Sequence, residues 1–255
     1  MHLRNFARLA IAALVATGAS LHASQASAQE RQQSGFGDLL VDTKFFVLGN
    51  HEARARFRLN RAAAEDGGAD FELLPEVTFG LSDQWQLSIA EESSKAQGES
   101  FSHAAIIAEA RYAFGRWGEH WLNPSVGFAY ESVPNGPEVA KISFYTAEEL
   151  NDAAWLWANS VTYQKRLSGD RERELIGKIG LHRVLSPNRF SIGAELKYES
   201  AKTYGHVSET ATELLIGPAL IWHPTENFTL RLGSFFGVTN DSPDNETTAM
   251  IEWYF

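Results

Sequence analysis

Cysteine is absent from the 255 residues of the chain. This absence excludes disulfide bonds, thiolate metal sites, covalent haem attachment and a cysteine nucleophile. Long apolar runs are absent too, since no segment approaches the roughly 20 consecutive apolar residues that a transmembrane helix needs. The sequence therefore predicts neither a disulfide framework nor a membrane-spanning helix.

Positive charge is scarce relative to negative charge. The chain has 22 Lys and Arg residues against 32 Asp and Glu residues, for a net charge of -10. A surplus of acidic residues disfavours binding to polyanions, because like charges repel over the whole surface. Nucleic acid is therefore not an expected partner.

The first 28 residues have the pattern of a secretory signal sequence. Arg4 and Arg8 form a basic region, the apolar stretch LAIAALVATGA follows, and small residues at 26–28 form a cleavage site. Cleavage would begin the mature chain at Gln29 and, by removing two arginines and no acidic residue, take the net charge from -10 to -12. Export is the expected fate of the chain.

Beyond residue 50, apolar and polar residues alternate in segments of about ten residues, which is the repeated signature of a membrane β-barrel. In the segment EARARFRLNR, apolar residues occupy every second position and Arg54, Arg56 and Arg58 occupy the positions between them. We call these three residues the arginine ladder. The segments FELLPEVTFGL and FSIGAELKYE alternate in the same way. A barrel would turn the apolar face to lipid and the charged face to its interior.

The links between these segments fall into two classes that alternate along the chain. Tight polar turns occur in LSDQWQL, LSPNRFSI and WHPTENFTL, whereas looser links rich in Gly, Asp, Glu and Ser include AEDGGAD and TNDSPDNE. This alternation predicts an all-β, up-and-down antiparallel transmembrane barrel with short loops. Its twelve strands are predicted near residues 52–62, 69–81, 85–92, 103–114, 121–131, 138–147, 153–166, 173–185, 189–200, 208–222, 227–238 and 246–255.

The expected organisation is a signal peptide over residues 1–28, a periplasmic tail or plug over 29–51, and a barrel over 52–255. An even number of strands places both termini in the periplasm. All seven tryptophans lie near predicted periplasmic turns or the C-terminus, as expected of an interfacial aromatic girdle.

Some segments oppose this prediction. Pro75, Pro124 and Pro218 fall inside predicted strands, where each removes a hydrogen-bond donor from the ladder. The stretches HAAIIAEARYAF and TAEELNDAAWLWA are also compatible with amphipathic helices, the second with a capping box from Thr146 to Glu149. In WLWANSVTYQ the alternation does not show which side faces lipid.

The last residues, TTAMIEWYF, carry a more specific signal. Ala249, Ile251, Trp253 and Phe255 occupy every second position and end on the terminal carboxylate. With the export signal and the short polar turns, this pattern resembles the Gram-negative outer-membrane β-barrel proteins. The resemblance implies a location in the outer membrane and recognition of these four residues by the barrel-assembly machinery. More narrowly, GLSDQWQLSIA is similar to the transporter barrels grouped with the meta-pathway of phenol degradation.

The alternation also predicts which charged residues line the barrel interior. Two interpretations stay open: a water-filled pore whose charges select small polar or charged solutes, or a lumen closed by its own ion pairs. Carboxylates on the second strand face the arginine ladder and could pair with it. The predicted lumen-lining residues are Arg54, Arg56, Arg58, Glu72, Glu76, Glu109, Arg111, Lys141, Lys178, His182, Glu195, Lys197, Glu213, Arg231 and Glu252.

An enzymatic alternative rests on a single short motif. Lipid A deacylases of the outer membrane use a His-x-Ser pair, and His206 and Ser208 have that spacing beside Glu209. No nucleophile elbow, zinc-protease motif or phosphate loop occurs, and the histidines are scattered. Neither a cofactor nor a metal is expected, and the chain is not expected to be an enzyme.

The sequence thus favours a passive outer-membrane channel or transporter for small hydrophilic or charged solutes. A closed structural barrel and an outer-membrane lipid hydrolase are the alternatives. Its expected partners are membrane lipid, small solutes, the assembly machinery, and lipopolysaccharide, whose phosphates divalent cations could bridge to the acidic loops AEDGGAD and TNDSPDNE.

Overall fold

The computed structural model describes most of the chain after residue 46. The described residues are 38–39, 43–44, 47–63, 68–96, 99–134, 136–151, 154–168, 171–186, 190–204 and 209–255. The predicted signal sequence over residues 1–28 and the His206 and Ser208 pair lie outside these ranges.

Fourteen strands form among the described residues, numbered in chain order. The first two form a small antiparallel pair that was not predicted, and the other twelve form the barrel. The strands are β1 (Asp38–Leu39), β2 (Thr43–Lys44), β3 (Ala53–Ala63), β4 (Ala69–Gly80), β5 (Trp85–Lys95), β6 (Ser102–Ala113), β7 (Ser125–Ser132), β8 (Val139–Leu150), β9 (Trp155–Arg166), β10 (Arg171–Ser186), β11 (Phe190–Tyr204), β12 (Glu209–Thr225), β13 (Phe228–Gly237) and β14 (Asn245–Tyr254).

The barrel is closed by its first and last strands. Each strand from β3 to β14 pairs antiparallel with its sequence neighbours, and β14 then pairs with β3. The closing register runs from Asn245 opposite Ala63 to Tyr254 opposite Arg54, and the Phe255 amide donates to the Ala53 carbonyl at 2.9 Å. Closure leaves no edge strand in the barrel. The prediction of a twelve-stranded, up-and-down antiparallel barrel is confirmed.

Alternating residues face opposite sides of the barrel wall. On β3 the three arginines are buried, while Phe57 between them is 53% exposed. On β14, Met250 and Glu252 are fully buried, whereas Ile251 and Trp253 are 44% and 48% exposed. The outer surface is therefore apolar and the inner surface largely polar, the reverse of a water-soluble protein.

The two ends of the barrel differ. We call the end that carries Ala53 and Phe255 the proximal end, and the opposite end the distal end. All seven tryptophans lie at the proximal end, and four of them, Trp85, Trp121, Trp222 and Trp253, are exposed. The most extended proximal link is not a tight turn but the eleven-residue loop 114–124.

That loop accounts for the main difference from the predicted strands. A strand was predicted to begin at residue 121, but β7 begins at Ser125. Leu122 and Asn123 have φ values of 66° and 40°, and this left-handed backbone cannot continue a strand. The Asn123 side chain stabilises the bend by accepting from the Gly118 amide at 2.6 Å and donating to the Ala147 carbonyl at 3.0 Å.

The segments with a helical alternative are strands. HAAIIAEARYAF lies mostly in β6, and TAEELNDAAWLWA spans the end of β8 and the start of β9. On β9, Leu156, Ala158 and Ser160 face inward, so the tryptophans at 155 and 157 face outward. Among the described residues, no helix has the length and apolarity needed to cross a membrane.

The prolines sit where the ladder is interrupted or absent. Pro75 faces outward on β4, and the pairing of β4 with β5 skips residues 74 and 75. Pro218 pairs with Ala194 on β11, but the pairing of β12 with β13 skips residues 217 and 218. Pro124 precedes β7 and lies in the loop. Pro75 and Pro218 thus each lie beside a gap in the pairing with one neighbouring strand, and Pro124 lies outside the strands.

Candidate functional site

The barrel interior is the candidate site, and the arginine ladder forms one of its walls. Arg54, Arg56 and Arg58 are each 5% exposed or less. Arg56 donates to Glu76 on β4 at 2.8 Å, and Arg58 donates to Glu72 on the same strand. Alternation on both strands brings these opposite charges to one face, and the antiparallel register sets Arg56 directly opposite Glu76.

The ion pairs continue across the seam where β14 meets β3. Glu252 accepts from Arg54 at 3.3 Å and from Arg231 on β13 at 2.8 Å. Glu76 likewise lies near a second arginine, with its carboxylate 3.6 Å from Arg54. Each of these two glutamates therefore bridges two arginines, so one network crosses four strands. Charges this deeply buried are tolerated only when they are paired.

A second charged cluster lies across the interior on β6. Arg111 is 1% exposed, donates to Glu109 at 2.8 Å, and has its guanidinium carbon 3.7 Å from the centre of the Tyr145 ring. A cation over an aromatic face gains from the ring quadrupole, most of all where water is excluded. Both the carboxylate and the ring therefore hold the Arg111 side chain in place.

A histidine and a glutamate form a buried pair between β10 and β11. His182 Nε2 lies 2.7 Å from Glu195 Oε1, and the two residues are 0% and 2% exposed. Gly193, directly opposite His182, makes room for the imidazole, because a Cβ there would lie 2.7 Å from His182 Cγ. The pair fills the inner wall at this point.

The fifteen residues predicted to line the lumen all occupy inner-face positions of their strands. Lys141 pairs with Glu131 at 2.6 Å, Lys197 lies 3.4 Å from Glu199, and Glu213 lies opposite Glu199 on the next strand. The buried members are Arg54, Arg56, Arg58, Glu76, Arg111, His182, Glu195, Arg231 and Glu252, and the partly exposed members are Glu72, Glu109, Lys141, Lys178, Lys197 and Glu213.

Two cavities are found in the part of the interior that the structure describes. The distal cavity, of about 320 Å³, lies at the distal mouth, where Glu92, Glu131 and Glu174 are among its lining residues. The central cavity, of about 110 Å³, lies deeper, between the arginine ladder and Arg111. Lys141 and Gln164 line both cavities. Each cavity is large enough for several water molecules. Because the two cavities share lining residues, they are neighbours inside the barrel.

Apolar side chains pack against the inner wall at the proximal end. Val47 and Leu48, which precede the barrel, are 5% and 8% exposed, and the Leu48 amide donates to Gln86 on the inner wall at 3.0 Å. Gly80 allows this close approach, because a Cβ there would lie 1.9 Å from the Gly49 carbonyl oxygen. From the loop 114–124, Trp117 packs against Tyr145, Ala147 and Ala158 on the inner wall.

Several lining residues were not identified from the sequence. Glu92 follows Gln86, Ser88 and Ala90 at every second position of β5, so alternation alone could have found it. Gln164 could not be assigned because the orientation of β9 was ambiguous, whereas Glu174 shares its parity on β10 with Lys178 and His182, so alternation could have found it too. Trp117 carried no such signal, since its inward placement depends on the bend at Asn123.

The part of the chain that the structure describes offers no candidate metal centre. No group of three or more metal-ligating side chains occurs among these residues. The His206 and Ser208 pair lies outside them, and the side chain of Glu209 does too.

Solved structures with the same architecture include two outer-membrane proteins. The COG4313 outer membrane channel from Pseudomonas putida F1 is 8% identical, and the match covers 83% of this chain and 98% of that one with a TM-score of 0.59. The KdgM porin is 14% identical, with coverage of 79% and 99% and a TM-score of 0.52. The fold is that of an outer-membrane β-barrel. At these identities the likeness concerns the fold alone.

No protein-family model and no curated protein matches the sequence. The arrangement of residues inside this barrel must therefore be interpreted from its own geometry. The described interior combines a dense ion-pair network, two neighbouring cavities with charged lining residues, and apolar side chains packed against the wall at the proximal end.

Proposed function

We propose that the protein is a passive outer-membrane channel for small hydrophilic or charged solutes. The main support is the pair of neighbouring cavities with charged lining residues, one at the distal mouth and one deeper in the barrel, which share Lys141 and Gln164. Charged side chains along such a path select solutes by charge, as they do in other channels. The porin and channel with the same architecture add support at the level of fold.

The membrane location is part of this proposal. The apolar outer face, with Phe57, Ile251 and Trp253 exposed, suits contact with lipid, and the tryptophans at the proximal end suit an interface. Ala249, Ile251, Trp253 and Phe255 would be recognised by the assembly machinery of a Gram-negative bacterium after export. The proximal end then faces the periplasm and the distal end faces outward.

A barrel of this size suggests a narrow passage. Eight-stranded barrels are filled by their own side chains, whereas barrels of 16 to 18 strands leave a wide aqueous channel. Twelve strands lie between these limits, and here the ion-pair network occupies one side of the lumen. Trp117, Val47 and Leu48 narrow the periplasmic end further, so solute passage would depend on movement of these side chains.

Swelling of proteoliposomes tests the proposal. Liposomes that contain the purified barrel should swell in an isosmotic glycerol solution faster than protein-free liposomes. They should swell more slowly in a solution of a trisaccharide, because a narrow lumen excludes larger solutes. The folded state is checked in the same sample, since intact barrels migrate faster on SDS gels before boiling than after. Swelling equal to that of protein-free liposomes, with the barrel folded, would reject the channel.

The alternative is a closed structural barrel, and one observation favours it. Arg56, Arg231 and Glu252 are each 1% exposed or less, as expected of a lumen sealed by its own side chains. Such a barrel would give no solute entry in the swelling assay even when fully folded. The two functions therefore predict opposite results in one experiment.

Two narrower expectations accompany the proposal. The similarity to the transporter barrels grouped with the phenol meta-pathway would make small aromatic acids worth testing as solutes. The acidic distal loops would bind lipopolysaccharide through divalent cations, and equal extraction of the protein with and without a chelator would contradict this. A lipid hydrolase would depend on Ser208, and unchanged lipid A acylation in a Ser208→Ala strain would exclude it.

A further inference from the structure

The two cavities differ in the charge of the residues that line them. The distal cavity is lined by more acidic than basic side chains: Glu92, Glu131, Glu172, Glu174 and Glu199 against Lys141, Lys165 and Arg166. The central cavity shows the opposite balance: Arg56, Arg111, Lys141 and Lys178 against Glu76 and Glu109. A solute that enters from the distal mouth thus meets an excess of carboxylates first and an excess of cations next.

The difference remains when the Lys141 and Glu131 pair is set aside, because the distal cavity then has four acidic and two basic residues and the central cavity three basic and two acidic ones. In the distal cavity Glu131 pairs with Lys141 and Glu172 pairs with Arg166. Within the described part of the chain, no basic nitrogen lies within 4.0 Å of a carboxylate oxygen of Glu92 or Glu174, the distance that defines a salt bridge. Glu92 is therefore available to a cationic group of a solute, while Glu174 beside it accepts from Gln164 and shares a hydrogen bond with Glu199.

At the boundary between the cavities lies a buried hydrogen-bond acceptor that no described donor reaches. Gln164 donates its amide nitrogen to Glu174, and its Oε1 is buried with no hydrogen-bond partner among the described residues. A buried acceptor without a donor is unfavourable until a solute or water supplies one. Lys141 lies at the same boundary. An acceptor and a cation are thus placed side by side where a solute must pass.

We propose that the solutes this path favours are small zwitterions of amino-acid size, with the ammonium group at Glu92, Glu174 and Gln164 and the carboxylate at Lys141 and Lys178. This inference rests on the proposed channel function. A simple anion is repelled at the mouth, and a simple cation is repelled in the central cavity. A molecule that carries both charges is attracted at both places, and a neutral polyol is attracted at neither.

Uptake of radiolabelled probes of similar size into proteoliposomes tests the inference. The probes are serine as the zwitterion, glycerol as the neutral solute, lactate as the anion and ethanolamine as the cation, at pH 8 so that the carboxylates are ionised. Serine should enter faster than each of the other three, by about fivefold over glycerol, the effect of one partly solvated charge pair.

Variants assign the effect to the cavity residues. Lys178→Gln should slow serine and lactate relative to glycerol, whereas Glu174→Gln should slow serine and ethanolamine, and Gln164→Leu should slow serine. Lys178→Arg keeps the charge and should keep the serine preference. Asp83→Asn, in the exposed proximal turn and outside both cavities, is the matched control and should leave all ratios unchanged.

The outcomes separate the two proposals. If even glycerol fails to enter through a folded barrel, the channel function itself is wrong. If glycerol enters but serine is no faster, or if the serine ratio is the same in Lys178→Gln and Glu174→Gln as in the original chain, the channel stands and the zwitterion inference is overturned. A preference for lactate or for ethanolamine would also overturn it.

Discussion

Glu76 offers the sharpest test of the ion-pair network. Its carboxylate is 2.8 Å from Arg56, 3.6 Å from Arg54 and 2.8 Å from the Thr78 hydroxyl, which donates to it. The replacement Glu76→Gln keeps the size of the side chain but removes the negative charge between the two arginines. Both arginines would remain buried, because the strand register fixes their positions.

The structure sets the expected size of the effect. The side chains of Glu76, Arg56 and Arg54 are 4%, 1% and 5% exposed, so they depend on their charged partners far more than on solvent. Removing one partner of a buried ion pair costs about 3–5 kcal/mol, and the remaining amide oxygen places Glu76→Gln near the lower limit. With an m-value of about 3 kcal/mol/M, a loss of about 3 kcal/mol lowers the urea midpoint by about 1 M.

Urea unfolding of the reconstituted barrel measures this shift, with the gel-mobility difference as the readout of folding. Asp83→Asn is the control, since the Asp83 pair with Arg116 is exposed and surface pairs contribute less than about 1 kcal/mol. Replacing both charges, with Arg56→Met and Glu76→Leu together, should restore part of the stability. A Glu76→Gln midpoint equal to that of Asp83→Asn would refute the idea that this network holds the wall together.

Three further predictions concern the proximal end. Gly80→Val should push residues 47–49 off the inner wall, because a Cβ at position 80 would lie 1.9 Å from the Gly49 carbonyl oxygen. Glycerol should then enter faster in the swelling assay, and an unchanged rate of entry would contradict this. Trp117→Ala should also speed glycerol entry, whereas Trp85→Ala, which removes an exposed tryptophan at the same end, should not. Equal rates of glycerol entry in the two variants would exclude Trp117 from the path. Deleting Phe255 should lower the amount of heat-modifiable barrel in the outer-membrane fraction, since it removes the bond to Ala53; normal assembly contradicts it.

Much of the fold follows from residues that alternate with period two. The arginine ladder and the terminal strand predicted both the strands and their orientation, because a single residue shift would place every arginine on the outer face. The sequence also predicted that carboxylates on β4 face Arg56 and Arg58, since a hairpin brings neighbouring strands together, but it left their pairing open; the structure shows the pairs.

The remaining features depend on contacts between distant parts of the chain. The pairing of Arg54 with Glu252 requires closure of the barrel, which joins residues 198 positions apart. The late start of β7 and the inward position of Trp117 both depend on the bend at Asn123, which alternation does not reveal. The cavities depend on which side chains from opposite walls meet.

Single-channel recording in planar lipid bilayers tests the central claim most directly. Purified, heat-modifiable barrel should give small, discrete current steps, and the steps should become larger for Trp117→Ala because the periplasmic end is then wider. A folded barrel that inserts into the bilayer and carries no current, in either form, would contradict the account and establish a closed barrel.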